Sequence, residues 1–380
     1  MDTEFDPALL ERVKQRLAAS PGPLDPARVA AALRETGVPV GDATVLAIHD
    51  ALRRDVLGAG PLEQLLQLPG VTDVLVNGPA QVFVDAGDGL TLADVTFPDD
   101  GAVRRLAQRL AAGVGRRLDD ASPWVDARLK DGTRFHAVLA PVGRPGTLLS
   151  LRIPARKAFT LDDLVAAGSI TSAGARLLAR IVSARLAFLI SGGTGTGKTT
   201  LLARVPPRER LVLVEDAAEL SPVHPHVVAL EARPANLEGV GAVTLRDLVR
   251  QGLRMRPDRL VVGECRGAEV TDLLAALNTG HEGGCGTIHA NSAGDVPARI
   301  EALALAAGLT RDAAHSQLAA ALDAVIHVGR DKEGRRRVLQ VGVPRRGTDG
   351  LVQIECAVSF DDQTLVEGPA AGVLAHRLTA

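Results

Sequence analysis

The chain has 380 residues, with 43 Lys or Arg against 45 Asp or Glu and a formal net charge of -2. That length suits two or three domains, since single cores rarely grow past about 250 to 300 residues, and the near-neutral balance excludes a bulk electrostatic footprint for sequence-blind binding to DNA or RNA. Aromatic residues are 2% of the chain with no Tyr, so there are few platforms for stacking single-stranded bases.

Cys265, Cys285 and Cys356 are odd in number and lack a CxxC spacing, which argues against a disulfide framework or a zinc ribbon and for a reducing compartment. The N-terminus, MDTEFDPALLERVKQRL, is acidic and then amphipathic. It lacks the basic region and apolar core of a signal peptide, and no apolar run approaches the roughly 18 residues needed to span a bilayer. A cytoplasmic protein, free to sit against the inner face of the plasma membrane, is the expectation.

In chain order, Leu9, Leu10, Val13 and Leu17 recur at helical spacing before SPGPLDP interrupts them. A second helix is expected from Pro26 and Ala27 and a third over 42–57, which makes residues 1–58 a short helical region. Val74 and Val76, then Val82 and Val84, alternate as strands around the turn residues Asn77, Gly78 and Pro79. A helix over Val103 to Val114 and the strand-like RFHAVLAPV and LLSLRIP complete a small α+β domain over 59–154. Residues 155–165 read as a linker in which Thr160 caps a helix that has Asp162 and Asp163 in its first turn.

Beyond the linker, the apolar strands LAFLIS, RLVLVED, HVVALE, RLVVGE and CGTIHA alternate with helices, the pattern of a doubly wound, mostly parallel α/β sheet over 166–345. The tail over 346–380 shows weak alternation and no motif.

Four segments of this α/β region carry chemistry. FLISGGTGTGKTTLL is a strand, then Gly192, four residues, Gly197, Lys198 and Thr199, then an apolar helical start. Glycines let backbone N–H groups turn inward around phosphate; Lys198 reaches the β and γ phosphates and Thr199 ligates Mg2+. The helix that follows has only about seven residues, against an average of roughly 11 to 12. LVLVEDAAEL ends a strand on Glu215 and Asp216 with Glu219 one turn later; at the carboxyl edge of a parallel sheet such acids bind Mg2+ through water or orient an attacking water, or simply enrich a helix start. RLVVGECRG ends on Glu264, with Gly263 where an ATP-hydrolysing core usually places an aspartate; the bland alternative is an exposed ion pair with Arg266. TGHEGGCGTIHAN carries His281, Cys285 and His289 at a spacing that matches no common zinc pattern. Between these segments, Arg233, Arg246, Arg250, Arg254, Arg256 and Arg259 are either a solvated face or, for Arg246, Arg250 and Arg254 at i, i+4 and i+8, charge compensation at a phosphate site.

Taken in this order, GGTGTGKTTLL, VEDAAEL, LRMRPDRLVVGECRG and GHEGGCGTIHAN resemble the Walker A, Asp box, Walker B and His box of the type II/IV secretion ATPases, most closely the CpaF/TadA branch of tight-adherence (Flp-type) pilus assembly. The likeness extends through DASPWVDARLKDGTRFHAVLAPV and LLSLRIP and covers roughly residues 55 to 345. It implies a RecA-like P-loop NTPase domain preceded by a smaller α+β domain, and a hexameric ring in which the N-terminal domain of one subunit closes over nucleotide. Hydrolysis would then move pilin subunits through an inner-membrane platform protein.

The resemblance implies ATP on Gly192, Gly193, Thr194, Gly195, Thr196, Gly197, Lys198, Thr199 and Thr200, with Arg152 as the linker arginine and Mg2+ on Thr199 and, partly through water, on Glu215 and Glu264. It makes Glu264 the Walker B glutamate, assigns His289 to the His box, and brings Arg250 and Arg254 toward the γ-phosphate. A general base must come within hydrogen-bond reach of its water, so Glu264 is expected as the base, with Glu215 supporting the metal shell and Gly263 as the reason a glutamate stands one position later. The short helix after the P-loop and Cys285 in place of the more usual Ser or Met depart from the family's usual pattern, and the lack of a cysteine-rich zinc module separates this chain from the main-terminal-branch secretion ATPases. A conjugation-type nucleic-acid translocase and a nucleotide-binding scaffold with little turnover are the alternatives.

Overall fold

The computed structural model describes residues 25–36, 58–154, 160–192 and 204–379, apart from 88, 234, 236–238, 332–334 and 362–363, and in the first 57 residues also 9, 12, 13, 16, 17, 41, 44–46, 48, 49 and 52. The chain divides into two compact units, Met1–Ala155 and Arg156–Ala380.

In the first unit, helix α1 (Pro26–Glu35) starts on Asp25, whose carboxylate accepts the Arg28 N–H at 2.8 Å, with Pro26 in the first turn where no N–H is needed. Its Val29 and Leu33 bury against Leu9, Val13, Val45, Ile48 and Leu52, so the opening residues form a small helical cluster of their own. After a short α2 (Glu63–Leu66) come β1 (Asp73–Asn77), β2 (Val82–Asp85), β3 (Leu90–Leu92), α3 (Asp100–Gly113), β4 (Trp124–Arg128), β5 (Arg134–Val138) and β6 (Leu148–Arg152). The six strands lie in the order β3-β2-β1-β6-β5-β4, every pair antiparallel. Alternation explains the layer: Val74, Val76, Phe135, Ala137, Leu149 and Leu151 point to one face and bury against Val103, Leu106 and Leu110 of α3. Asp100 ties the helix down by accepting the Thr147 N–H at 2.6 Å and its hydroxyl at 3.0 Å.

The second unit opens with α4 (Leu161–Ala166), where Thr160 and Asp163 form the reciprocal capping box that their spacing predicts. There follow α5 (Ser172–Ser183), β7 (Phe188–Gly192), β8 (Leu211–Glu215), β9 (Val227–Glu231), α6 (Leu245–Leu253), β10 (Arg259–Cys265), α7 (Glu269–Leu277), β11 (Cys285–Ile288), α8 (Val296–Ala306) and α9 (Arg311–Ala321). The chain ends through β12 (Ala324–Arg330), β13 (Arg336–Arg346), β14 (Val352–Phe360), β15 (Leu365–Glu367) and α10 (Ala371–Arg377). Nine strands form one sheet, β15-β14-β13-β12-β7-β11-β10-β8-β9, parallel from β12 to β9 and antiparallel from β12 to β15.

Strands covered on both faces read as continuous apolar runs, and FLIS and LVLV do so because successive residues feed opposite cores. Phe188, Ile190, Leu211 and Leu213 pack with Leu178, Ile181 and Val182 of α5. Leu189, Val212 and Val214 pack with Val249 of α6, Leu273 of α7 and Ile300 of α8 on the other side.

Residues after Arg346, which show no clear pattern in the sequence, extend this sheet. The blurred alternation has a cause: between Val341↔Val358 and Gly342↔Cys356 the partner strand holds one extra residue, Ala357, and a bulge of this kind resets which side chains face the core. Arg259, read above among exposed arginines, is only 1% exposed. It pins the start of β10 by donating to Glu209, to the Val182 carbonyl at 3.0 Å and to the Gly283 carbonyl at 3.3 Å. No helix among the described residues is long and apolar enough to cross a membrane.

Candidate functional site

Because β8, β10, β11 and β7 are adjacent and parallel, the four sequence segments deliver their ends to one carboxyl edge. Ligands of open α/β sheets bind at this edge, near points where the strand order reverses.

At β7 the edge is built for a chain that must turn sharply. Gly192 has φ +128, and a Cβ there would run into the Val328 carbonyl oxygen on β12, so only glycine fits where the strand hands over to the loop. Gly193, Thr194, Gly195, Thr196, Gly197, Lys198, Thr199 and Thr200 lie outside the described residues, as does the short helix after them.

At β8, Glu215 is buried, with 3% of its surface exposed. A buried carboxylate needs donors, and its Oε1 accepts the Glu219 and Leu220 N–H groups at 3.0 Å each, with the Leu220 N–H also 3.3 Å from Oε2. Glu219 therefore contributes its backbone to this cluster. Gly263 has a different task from the one its place in the sequence suggests: a Cβ there would lie 2.8 Å from Glu215 Cγ and 3.3 Å from its Oε1, so the glycine makes room for the neighbouring strand's acid.

Next to it β10 bulges. Val262 pairs with Gly286 and Cys265 with Ile288, three steps against two, so one extra residue is inserted at Gly263–Glu264. Bulges re-aim side chains, and they recur beside active sites. Glu264 accepts a two-pronged bond from Arg266, Nε to Oε1 at 2.6 Å and Nη2 to Oε2 at 2.8 Å, and His289 Nε2 lies 2.9 Å from the same Oε1. The bond to Glu264, with its charge and that of Asp216, raises the Arg266 pKa further. The ion pair with Arg266 is thus real, and it is joined to the histidine at the end of β11.

The remaining expected residues have partners of their own. Arg250 and Arg246 share a helix face, as their spacing predicts, but both donate to Asp272 of α7, at 2.8 and 2.7 Å, and Arg254 donates to the Arg250 carbonyl. The anion that Arg246 and Arg250 meet within this chain is a carboxylate. Arg152, in the first unit, pairs with Asp73 at 3.0 Å. His281 and His289 fall at opposite ends of β11, with Cys285 buried inside it, so these three do not converge. Sequence reasoning missed His327 of β12, whose Nδ1 is 2.9 Å from Ser191 Oγ one residue before Gly192. A histidine inside the apolar run AVIHV was the available signal.

The edge fits a nucleoside triphosphate with a divalent cation: a strand end that a Cβ would block, and carboxylates on two neighbouring strands, one of them reached by two side chains. Among the described residues no group of three His, Cys, Asp or Glu is placed to hold a metal.

The class of protein defined by this sheet and edge is borne out by comparison. Residues 55–355 match the type II/IV secretion system protein family, and the chain belongs to it. A Mycobacterium tuberculosis protein named for conjugal transfer is 59% identical over 324 residues, covering 83% of this chain and 92% of the relative. The type IV secretion system protein PtlH of Bordetella pertussis is 32% identical over 314 residues, covering 74% of this chain and 92% of PtlH. The crystal structure of the pilus retraction motor PilT with bound ADP shares the fold, with a TM-score of 0.51 at 18% identity over 84% of each chain.

Proposed function

We propose that this chain is an ATP-hydrolysing motor of a type II/IV secretion or Flp-type (CpaF/TadA-like) pilus assembly system, working as a homohexamer on the cytoplasmic face of the inner membrane against a platform protein. The observation that carries the proposal is the β10 bulge, which sets Glu264 at the carboxyl edge one strand from Glu215 and in contact with His289. Lys198 and Thr199 would hold the phosphates and Mg2+, which when bound would neutralise charge on the phosphate oxygens.

Glu264 is the base. Water attacks the γ-phosphorus, the bond to the ADP oxygen breaks, and the water proton passes to the carboxylate. His289 orients that carboxylate, and the Arg266 fork must loosen for Glu264 to accept a proton. Glu215, fixed on backbone amides, supports the outer shell of the metal, and Arg152, Arg250 and Arg254 meet nucleotide across subunits. The domain layout of 59–154, 155–165 and 166–345 gives the ring its moving parts.

Magnesium-dependent ATP hydrolysis that rises on oligomerisation is expected of the full chain. Glu264→Gln is expected to keep ATP binding and to lose turnover by a factor on the order of 10² or more, the size of a general-base contribution. Should Glu215→Gln alone behave that way while Glu264→Gln stays active, the roles are reversed; full activity from a strict monomer sinks the ring, and tight binding without phosphate release leaves a scaffold. The relatives' names favour a second reading, a motor of conjugative transfer. DNA-stimulated hydrolysis with a steep salt dependence selects it.

A further inference from the structure

The β10 bulge sets two residues, Gly263 and Glu264, against one on β11, Thr287. A bulge disrupts the ladder where it falls, and at this one a side chain adds a bond across the strands: the Thr287 hydroxyl donates to the Gly263 carbonyl at 2.6 Å. Both residues are buried. That carbonyl matters because of what shares its peptide group. The Gly263 C=O and the Glu264 N–H lie in one rigid plane, so fixing the oxygen fixes the plane from which the Glu264 side chain departs.

Position 263 holds the one glycine of β10. It stays bare to leave room for Glu215, and glycine has the widest backbone freedom of any residue. The residue before Glu264 is therefore the one least constrained by its own sterics. Beyond Glu264 the chain is already fastened, because the buried Glu269 carboxylate accepts the Arg266 and Gly267 N–H groups at 2.6 and 2.7 Å. Thr287 fastens the side that this clamp does not reach. Strand stability gives a poorer account of the hydroxyl: Cys285 and Ile288 are buried on the same strand, and a valine at 287 has the same shape, a strong strand preference and no hydroxyl to desolvate.

We infer that Thr287 is a positioning residue that holds the Gly263–Glu264 peptide and so aims Glu264 at the sheet edge. The inference rests on the ATPase reading for its kinetic consequence, but not for its structural one. With the hydroxyl gone, the peptide turns about the bonds of Gly263, and the geometry that Glu264 shares with His289 and bound nucleotide is reached less often.

The test uses the full chain with Thr287→Val, which keeps the shape and drops the hydroxyl, and Thr287→Ser, which keeps the hydroxyl and drops the methyl. Rates are taken per nucleotide-binding subunit, so that an unfolded fraction does not count. Thr287→Val is expected to lower kcat about fivefold to tenfold, the size of one hydrogen bond, and to leave KM for MgATP within about twofold, whereas Thr287→Ser stays within about twofold of wild type in both. Added to Glu264→Gln, Thr287→Val is expected to cost less than about twofold further, because the carboxylate it aims is already gone. Amide hydrogen exchange resolved to single residues needs no turnover: the Glu264 amide is expected to quicken in Thr287→Val and to recover in Thr287→Ser, while the Arg266 and Gly267 amides keep their wild-type rates. Wild-type kcat in Thr287→Val, equal impairment of the Val and Ser variants, an unchanged Glu264 amide, or equal quickening of the Glu264, Arg266 and Gly267 amides overturns the inference. A wild-type chain that hydrolyses no ATP instead overturns the proposed function and leaves the exchange experiment to decide this one.

Discussion

Glu215 and Glu264 stand at the ends of neighbouring strands and are held in opposite ways. Glu215 is buried and bound by backbone N–H groups of its own following turn, which cannot leave without unfolding that turn. Glu264 is gripped by two side chains, Arg266 and His289, both about half exposed and able to change rotamer. Of two acids at one sheet edge, the one held by the main chain suits a fixed charge, and the one held by side chains suits a group that must exchange partners during a cycle.

The contrast can be broken from either side. The largest effect after that of Glu264→Gln is expected from Gly263→Ala, whose methyl would meet Glu215 Cγ at 2.8 Å. Overpacking of this kind costs about 1–3 kcal/mol, read as a lower denaturant midpoint at unchanged slope; full stability would mean that Glu215 has another place to go. Arg266→Ala sharpens the comparison by releasing Glu264. Basal hydrolysis is expected to rise about twofold to fivefold, the worth of a charge-assisted bond partly exposed to solvent, whereas a fall of tenfold or more would place Arg266 on the nucleotide instead.

The smallest effect concerns pH. His327 has its folded pKa depressed, mainly by burial, with Asp295 and the Asn291 backbone opposing. Below the unfolded value of about 6.5 the unfolded chain binds the proton first, so this group's contribution to stability is present above that pH and is lost as pH falls toward the folded pKa. Between about pH 7.5 and 5.5 the wild-type thermal midpoint should therefore drop further than that of His327→Leu; equal drops would remove His327 as the cause.

Much of the second unit is legible in the sequence because strands buried on both faces announce themselves as apolar runs, and those of β7, β8 and β10 stop at a glycine or an acid. Features that depend on register between distant strands are not legible. That Gly263 accommodates Glu215 follows from β8 lying beside β10, a pairing 48 residues apart along the chain, as in Arg259↔Leu211. The spacing of Arg246 and Arg250 shows that they share a face, but their partner, Asp272, comes from the following helix. Ala357 hides β14 by shifting its alternation midway, and His327 passes for one polar residue in a strand until Ser191 is seen across from it.

The glycine at 263 has a consequence for how this edge tolerates change. The seam between β8 and β10 has space for one acidic side chain, and the neighbouring strand must stay bare for it to fit. Positions 215 and 263 therefore form a single slot with two doors: an acid entering from 263 requires a small residue at 215, and the present arrangement requires the reverse. Substitutions at the two sites are coupled, and a carboxylate could pass from one strand to the other only by exchanging both residues together.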